Sequence, residues 1–207
     1  RVRSSYDVLI GTSGVQDSVV ATRVPRLELL PATVDLSGAE VEMVGLDDRA
    51  HRLDKALGDA AGRWDICLID CPPSLGLLTV NGLVAARQLL VPLQSEFFAL
   101  EGLSQLLQTV ERIRQAFNPQ LSILGVALTM FDRRNRLSQQ VSDDVRACLG
   151  PVVFDTVVPR NVRLSEAPSH GLPALIYDLK CPGSEAYVRL ARELMARLPA
   201  RAEAEAA

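Results

Sequence analysis

Two kinds of apolar segment alternate along this chain. Short apolar runs bounded by Gly, Pro, Asn or Asp are typical of strands, whereas apolar residues repeated every three or four positions are typical of helices. Residues 64–70 (W-D-I-C-L-I-D) hold four consecutive apolar residues before Asp70, which predicts a strand buried on both faces, as in a parallel sheet. The other predicted strands are residues 27–32, 88–94, 121–130, 153–158 and 173–177.

Helical spacing fills the intervals between these runs. The predicted helices are one with apolar Leu46, Ala50, Leu53, Leu57 and Ala61 up to Gly62, a second with Leu103, Leu106, Leu107, Val110 and Phe117 that ends before Asn118-Pro119, a third over residues 138–149 that ends at Gly150-Pro151, and a last one with Tyr187, Leu190, Ala191, Leu194 and Leu198. This alternation implies right-handed crossovers. The pattern therefore predicts the α/β class, with a doubly wound, mostly parallel sheet and functional residues at the carboxyl ends of its strands.

Composition narrows the function classes. The 207 residues carry 22 Lys plus Arg against 25 Asp plus Glu, a net charge of −3, so global basicity does not indicate a nucleic-acid binder. The apolar stretch 121–131 is shorter than the ~20 residues that span a bilayer, and we expect a cytoplasmic protein. We also expect the four cysteines to be buried free thiols, because they show no C-x-x-C spacing. They are Cys67, Cys71, Cys148 and Cys181.

The chain shows no internal boundary in its composition. We expect one domain over residues 1–198, because no Pro-, Ser- or Gly-rich linker interrupts the middle of the chain. Residues 199–207 form an Ala/Glu tail without a large apolar side chain, and we expect it to be disordered. The chain opens on Arg1 rather than Met, which leads us to expect a fragment.

Asp70 is the first candidate for chemistry. A carboxylate at the end of a buried parallel strand faces the ligand crevice and can hold Mg²⁺ through water beside nucleotide phosphates. The alternative is that Asp70 only caps the following loop. Residues 71–76 (C-P-P-S-L-G) form a stiff turn that is suited to sensing a γ-phosphate.

Three longer stretches form distinctive motifs: residues 70–81 (DCPPSLGLLTVN), 91–103 (VPLQSEFFALEGL) and 158–171 (VPRNVRLSEAPSHG). Together they resemble the ParA/Soj family of chromosome-partitioning ATPases, and the likeness runs from Ser5 to about Leu194. The resemblance implies a P-loop NTPase-like fold of the deviant Walker kind, with ATP and Mg²⁺ as cofactors. It places Asp70 at the Walker B position, as the catalytic and metal-ordering carboxylate, and residues 71–76 in the second switch region.

The same resemblance implies where adenine binds. The residues implied are Thr129, Met130, Pro159, Arg160 and Asn161, with Phe131 and Asp132 beside them. Rigid proline and backbone groups suit a base that offers a flat face and an edge to be hydrogen-bonded. The alternative is that Met130 and Phe131 are ordinary strand-end core and that Asn161 caps the next turn.

The resemblance also implies DNA binding, and we expect arginine side chains to make the contacts. Arg160 and Arg163 are the residues expected to bind DNA without sequence preference, because phosphate contacts need only positive charge at the right spacing. The triplet Arg133, Arg134 and Arg136 is a further candidate, although a charge run is usually a solvated face. The implied partners are a ParB-like protein, nonspecific DNA of the nucleoid and, with ATP bound, a second copy of the chain.

The sequence also departs from the family pattern. Residues 177–183 read Y-D-L-K-C-P-G where relatives commonly read Tyr-Asp-Pro-Lys-Ser, and neither His51 nor His170 suggests a catalytic base. The largest departure is the lack of a Gly-rich loop of the K-G-G-x-G-K-[ST] type, whose amides and lysines hold phosphates. The nearest glycine pair, Gly11 and Gly14, has no lysine with it.

These features leave three hypotheses. The first is a ParA-like chromosome or plasmid partition ATPase that lacks its N-terminal phosphate-loop region and is inactive as this fragment. The second is a non-enzymatic DNA- or partner-binding module that binds no nucleotide. The third, a membrane-cycling ATPase of the MinD kind, needs a C-terminal amphipathic basic helix, and the Ala/Glu tail does not supply one.

Overall fold

A computed structural model describes residues 3–60 and 62–198. These residues form two compact units, one up to Arg87 together with Val110–Leu121, the other from Gln88–Thr109 together with the described residues from Ser122 onward. The predicted disordered tail, 199–207, lies outside the described residues. The single domain expected from composition stays a prediction.

The elements follow the predicted alternation of strand and helix only between Gln88 and Leu149. The helices are α1 (Ser5–Ile10), α2 (Leu36–Met43), α3 (Arg52–Gly58), α4 (Leu77–Ala85), α5 (Ala99–Ala116), α6 (Arg136–Leu149), α7 (Val162–Glu166), α8 (Ala174–Tyr177) and α9 (Pro182–Arg197). The strands are β1 (Val20–Ala21), β2 (Glu28–Leu29), β3 (Gln88–Gln94) and β4 (Ser122–Thr129), and short 3₁₀ turns cover Gly150–Val152 and Ala167–His170.

The first unit is held by small cores and by a buried asparagine. Its buried core residues are Val8, Val15 and Ala60 in one cluster, and Leu9, Ala39 and Met43 in another. Asn81, only 1% exposed, donates to the carbonyls of Arg49 at 2.7 Å and Leu77 at 2.9 Å and accepts from the Leu53 amide at 3.1 Å. These bonds join α4 to α3 and to the turn before it, and they satisfy an amide that would be costly to bury unpaired.

The second unit is built on a parallel pair. β3 and β4 pair from Gln88 opposite Ser122 to Gln94 opposite Thr129, with one register shift between Leu89 and Leu90, and α5 supplies the crossover that parallel strands require. Alternate β4 residues enter different cores, because strand side chains point to opposite faces. Val126 and Leu128 pack with residues of α5 and α6, whereas Ala127 packs with residues of α9. Helices thus cover both faces of the pair, and the α/β class is confirmed.

The predicted strand over residues 64–70 is wrong. The structure gives these residues no strand, and Leu68 is 82% exposed. A strand exists only through hydrogen bonds to a neighbour, and among the described residues no strand pairs with this segment. An apolar run thus indicates strand potential, whereas the presence of a partner decides the outcome.

The predicted strand over residues 153–158 is only partly present. It runs beside β4 with isolated parallel bridges, Val126 to Val153 and Phe131 to Pro159, instead of a continuous ladder. Side chains of α9 bond several of its backbone groups. Glu193 accepts from the amides of Asp155 and Thr156.

Three further predictions need correction. The strand predicted over residues 173–177 is wrong, because Ala174–Tyr177 is helical and the Pro173 carbonyl accepts from the amides of Ile176 and Tyr177 at 2.9 and 3.0 Å. The strand predicted at 27–32 shortens to β2, which pairs antiparallel with β1. The first predicted helix shortens to α3, because turns occupy the residues before it, including one closed by the His51 amide on the Asp48 carbonyl at 2.8 Å.

Candidate functional site

The ends of β4 and of the segment beside it come together at one edge of the sheet. The Phe131 amide donates to the Val158 carbonyl at 3.2 Å, and the Arg160 amide donates to the Phe131 carbonyl at 3.0 Å. Met130, between β4 and this bridge, has a φ of 53°, which few residues other than glycine adopt. The backbone therefore turns sharply at Met130, and the two loops predicted to bind adenine become neighbours.

An open cleft of ≈ 970 Å³ lies at this bridge, and we call it the arginine cleft. Its apolar lining is Phe131, Val157, Pro159, Val162 and Pro182, and its polar and charged lining is Asp132, Arg133, Arg134, Gln139, Arg160, Glu185 and Arg189. Flat apolar groups suit the face of a planar ring, and guanidinium groups suit phosphate oxygens. The residues present therefore fit a nucleotide.

A second cleft of ≈ 760 Å³, which we call the phenylalanine cleft, follows the carboxyl end of β3. Phe97 and Phe98 in its lining are each 72% exposed and form a T-shaped pair with centroids 5.1 Å apart. Met130 and Arg160 also line it. Ser95 is 2% exposed, and its hydroxyl has no hydrogen-bond partner among residues 3–60 and 62–198.

The two arginines predicted to bind DNA are both paired with acidic side chains. Arg160 lies 3.5 Å from Glu96, and Arg163 lies 2.8 Å from Glu166 and 3.6 Å from Asp178. The hydrogen bond from Arg163 holds the pKa of Glu166 below its ordinary value, and the same bond raises the pKa of Arg163. Phosphate binding at Arg163 would have to compete with these carboxylates.

Other predicted adenine-binding groups have roles within the fold. The Asn161 side chain accepts from the Arg163 amide at 2.9 Å and so caps α7, as the alternative interpretation has it. The Thr129 carbonyl accepts from the Ser95 amide at 3.2 Å and thereby joins the ends of β3 and β4. A contact of Thr129, Met130 or Asn161 with adenine stays a prediction.

Asp70 lies in the first unit, is exposed, and belongs to no helix or strand. The loop after it is fixed from α4, where the Thr79 hydroxyl donates to the carbonyls of Pro72 and Ser74. Gly82 of the same helix leaves room for Cys71, because a Cβ at position 82 would lie 2.7 Å from the Cys71 Sγ.

The single exposed carboxylate of Asp70 suits a metal ion only if most of the ligands of that ion come from elsewhere. Within the described part of the chain, no group of three or more His, Cys, Asp or Glu side chains is arranged to hold a metal ion. Mg²⁺ commonly takes one or two carboxylates together with waters and substrate phosphates. Asp70 can therefore order Mg²⁺ through water only beside a bound phosphate group.

The prediction of buried thiols is wrong for most of the cysteines. Cys181 is buried, whereas Cys67, Cys71 and Cys148 are exposed, and all four are free. The first two lie in or beside the segment that forms no strand, which explains their exposure. Partial burial still raises the pKa of Cys67 and Cys71, and the charge of Asp70 adds to the shift of Cys71.

Among residues 3–60 and 62–198 no helix is both long and apolar enough to span a membrane.

Comparison with known proteins decides the family. A family model described as an AAA domain matches residues 2–123. The chromosome partitioning protein ParA of Caulobacter vibrioides is 57% identical over 194 residues, which cover 93% of this chain and 73% of that protein. The chain belongs to the ParA/Soj family. The chromosome-partitioning ATPase Soj of Treponema pallidum is 50% identical over 192 residues, 93% of this chain and 76% of that protein.

Solved structures place this ParA/Soj chain in the P-loop NTPase fold. A structure of cobyrinic acid a,c-diamide synthase from Mycobacterium smegmatis with bound ADP and magnesium superposes with a TM-score of 0.77 at 36% identity. The match covers 93% of this chain and 71% of that one. The predicted fold class is thereby confirmed.

Sequence reasoning missed the part of the arginine cleft that α9 provides. Pro182, Glu185 and Arg189 line the cleft although they come about fifty residues after Phe131 in the sequence. A signal is nevertheless present in the sequence. Acidic and basic residues alternate at every fourth position, Glu185, Arg189, Glu193 and Arg197, and this spacing places them on one face of a helix.

Proposed function

We propose that this ParA/Soj-family protein acts in chromosome or plasmid partition as an ATPase, and that hydrolysis requires a Gly-rich phosphate loop that the 207 residues do not contain. In this proposal it binds ATP with Mg²⁺, dimerises in the ATP-bound state, binds DNA without sequence preference and leaves it when a ParB-like protein stimulates hydrolysis. The arginine cleft is the observation that carries the proposal, since it joins apolar walls to four guanidinium groups at the carboxyl end of the sheet. Ligands of α/β sheets commonly bind at that end.

Each part of the cleft suits one part of a nucleotide. Phe131 and Pro159 offer flat apolar surfaces on which adenine can lie. Arg133, Arg134 and Arg189 make no side-chain hydrogen bond or ion pair within residues 3–60 and 62–198, so their charge is available to an anion. These residues would orient the nucleotide. The Walker B position that the family resemblance gives Asp70 would make it the carboxylate that orders Mg²⁺, and that ion would supply charge neutralisation at the phosphates.

A non-enzymatic module remains the second candidate. The 207 residues contain no Gly-rich loop with a G-K-[ST] ending, and such loops supply most of the backbone donors to a triphosphate. Asp70 is exposed on an irregular segment. On this alternative the chain binds DNA or a partner protein equally well with and without nucleotide.

Binding measurements with pieces of the nucleotide test the proposal. Phe131→Ala should weaken binding of both adenosine and Mg-ATP, whereas Arg189→Ala should weaken binding of Mg-ATP but leave adenosine unaffected. Arg192→Ala is the matched control, because Arg192 is an exposed residue of the same helix that does not line the cleft. Calorimetric titration of the four proteins supplies the affinities.

The result also separates the two candidates. A loss of Mg-ATP affinity confined to Phe131→Ala and Arg189→Ala supports the nucleotide site. Wild-type protein that binds duplex DNA identically with and without Mg-ATP, and shows no adenosine binding, supports the non-enzymatic module. Equal effects of Arg189→Ala and Arg192→Ala would show that only overall charge matters.

A further inference from the structure

Residues 153–160 form an incomplete strand that α9 holds in place. On one side, the segment bonds β4: the Phe154 amide donates to the Val126 carbonyl and the Val158 amide to the Leu128 carbonyl, both at 2.9 Å. Other backbone groups of residues 152–156 bond side chains of α9, where a second neighbouring strand would otherwise supply the partners. The segment ends at the Pro159 and Arg160 positions of the arginine cleft, so whatever fixes it also fixes one wall of that cleft.

Glu193 provides two of these side-chain bonds. Its Oε1 accepts from the Asp155 amide at 2.7 Å and its Oε2 accepts from the Thr156 amide at 3.0 Å. Successive amides thus bind the two oxygens of one carboxylate, which is 20% exposed. Charge-assisted bonds of this kind are about twice as strong as neutral ones.

Arg197 binds the residues just before these amides. Its two terminal nitrogens donate to the carbonyls of Val152 at 3.0 Å and Val153 at 3.2 Å. It also donates to Glu193 at 3.0 Å, and its guanidinium lies 3.9 Å from the centroid of the Phe154 ring. Gly125 leaves the space for this arrangement, because a Cβ there would lie 2.8 Å from Arg197 Nη1.

The two residues continue a charged row that reaches the cleft. Glu185, Arg189, Glu193 and Arg197 follow one another at intervals of four along α9, and the first two line the arginine cleft. One rigid helix therefore contributes directly to the cleft near its N-terminal end and holds the adjoining wall near its C-terminal end. A shift of α9 would move both contributions together.

We propose that Glu193 and Arg197 are positioning residues for the arginine cleft, which they serve by clamping residues 152–156 so that Pro159 and Arg160 are held against Phe131. We call the bonds of Glu193 and Arg197 to residues 152–156 the clamp. Its functional role rests on the proposed nucleotide function, but its effect on the position of the loop can be measured without any ligand. The two amides that report it are those of Phe131 and Arg160, which bond across the bridge.

Amide hydrogen exchange on the full 207-residue protein tests the clamp. Glu193→Gln replaces one of the two accepting oxygens by an NH2 group that only donates and removes the charge, and we expect exchange at Phe131 and Arg160 to become roughly tenfold faster while the amides of β3 and β4 keep their rates. Arg197→Lys, which keeps the charge but loses the planar fork, should act in the same direction and serves if Glu193→Gln folds poorly. Glu111→Gln is the matched control, since Glu111 is an exposed helical carboxylate paired with Arg114.

Each outcome decides the matter. Faster exchange that extends from the clamped amides of Asp155 and Thr156 to those of Phe131 and Arg160, with β3, β4 and Glu111→Gln unchanged, supports the positioning role. Faster exchange by the same factor throughout β3 and β4 would mean that Glu193 and Arg197 only stabilise the fold, and unchanged exchange would mean that they do not hold the loop; either result overturns the proposal.

Mg-ATP titration of the same variants separates this proposal from the one on which it rests. If the wild-type protein binds Mg-ATP, we expect the clamp variants to bind it several-fold more weakly and Glu111→Gln to bind it normally; unchanged affinity in the clamp variants overturns the positioning role. If the wild-type protein binds no Mg-ATP, the nucleotide function fails in this chain, whereas the exchange data still judge the clamp.

Discussion

At the scale of single residues, the arginines show how local pairing modifies a function suggested by charge. Arg163 is the basic residue of a small network in which Glu166 accepts bonds from both Arg163 and the Tyr177 hydroxyl. Asp178 lies on the other side of the guanidinium. A phosphate group approaching Arg163 therefore meets a charge that is already largely balanced, and the free energy of DNA binding should depend on the acids as much as on the arginine.

This balance makes a prediction for DNA binding. Arg163→Ala should weaken binding to any duplex and reduce the slope of log affinity against log salt by about 1, the value for one lost phosphate contact. Glu166→Gln should strengthen binding, because it removes a competing carboxylate. Fluorescence anisotropy over a range of salt concentrations measures both changes. Arg114→Ala, at an exposed arginine paired with Glu111, is the control for overall charge. An identical loss in Arg163→Ala and Arg114→Ala would remove Arg163 from the DNA surface.

A second residue-scale prediction concerns the loop that follows Asp70. Gly82→Ala would place a Cβ 2.7 Å from Cys71 Sγ and 3.4 Å from Ile69 Cγ2, so we expect a loss of about 1–3 kcal/mol in the free energy of unfolding, as for other overpacked sites. Gly102→Ala, in the open interior of α5 with nothing within 4 Å, should instead stabilise by up to about 1 kcal/mol. Urea denaturation compares the two. A stabilised Gly82→Ala variant would show that the loop does not pack against α4.

At the scale of elements, local patterns predicted α5, α6, α9 and the paired strands β3 and β4 well, whereas the first predicted helix shortens to α3. The apolar faces that predict α5, α6 and α9 are the faces that pack in the structure, as Leu103, Val145 and Leu190 show. β3 forms over the bounds that its apolar pattern predicted, because β4 is present as its parallel partner. The run 64–70 has equal strand potential and no partner among the described residues, and it forms no strand.

The irregular segment 62–70 is nevertheless anchored to β2, and this contact depends on pH. Trp64 Nε1 donates to Glu28 Oε2 at 2.7 Å, and Arg63 lies 3.1 Å from the same carboxylate. The Trp64 hydrogen bond, with a further one from Arg63, holds the pKa of Glu28 below its ordinary value of 4.5. Because the pKa is lower in the folded protein, the contact stabilises the fold above the ordinary value and is lost as the pH falls through the lowered one.

Fluorescence of Trp64, the single tryptophan of the chain, measures this loss directly. We expect an emission change with a midpoint below 4.5, the ordinary pKa of a Glu side chain, and we expect Glu28→Gln to abolish it. Glu42→Gln is the control, because the Glu42 carboxylate accepts from Tyr6 and makes no contact with Trp64. The same titration in Glu28→Gln as in wild type would assign the change to acid unfolding instead.

At the scale of the whole molecule, the contacts shown here do not by themselves provide phosphoryl transfer. Catalysis of that reaction is almost entirely positioning and charge neutralisation, and the 207 residues hold no Gly-rich phosphate loop. On the proposed function, the arginine cleft would hold a base and part of a triphosphate, and Asp70 would order a metal ion. The backbone donors and lysines that orient the γ-phosphate in P-loop proteins are not among these groups.

We therefore predict that the 207-residue chain does not hydrolyse ATP above background, even with Mg²⁺, DNA and a ParB-like protein present. Phosphate release from the purified chain, measured beside Asp70→Asn, checks this. Asp70→Asn keeps the shape of the side chain but removes the charge that orders Mg²⁺. Turnover in the wild-type chain that disappears in Asp70→Asn would contradict the prediction and would show that other residues supply the phosphate contacts.

The sequence by itself determined the α/β class, the family and the elements with strong internal periodicity. These depend on local spacing and on long ordered motifs such as residues 158–171, and neither needs a distant partner to be recognised. The sequence also led to Phe131, Pro159 and Arg160, which the fold brings together.

Only the tertiary structure decided which apolar runs became strands and what completes the cleft. Hydrogen bonds between strands, and bonds such as those from Glu193 and Arg197 to residues 152–156, join segments far apart in the chain. A segment's own composition cannot show whether such a partner is present. The pairing of Arg163 with Asp178 and the exposure of Leu68 follow from the same physical fact, that side-chain environment is set by the residues that the fold brings near.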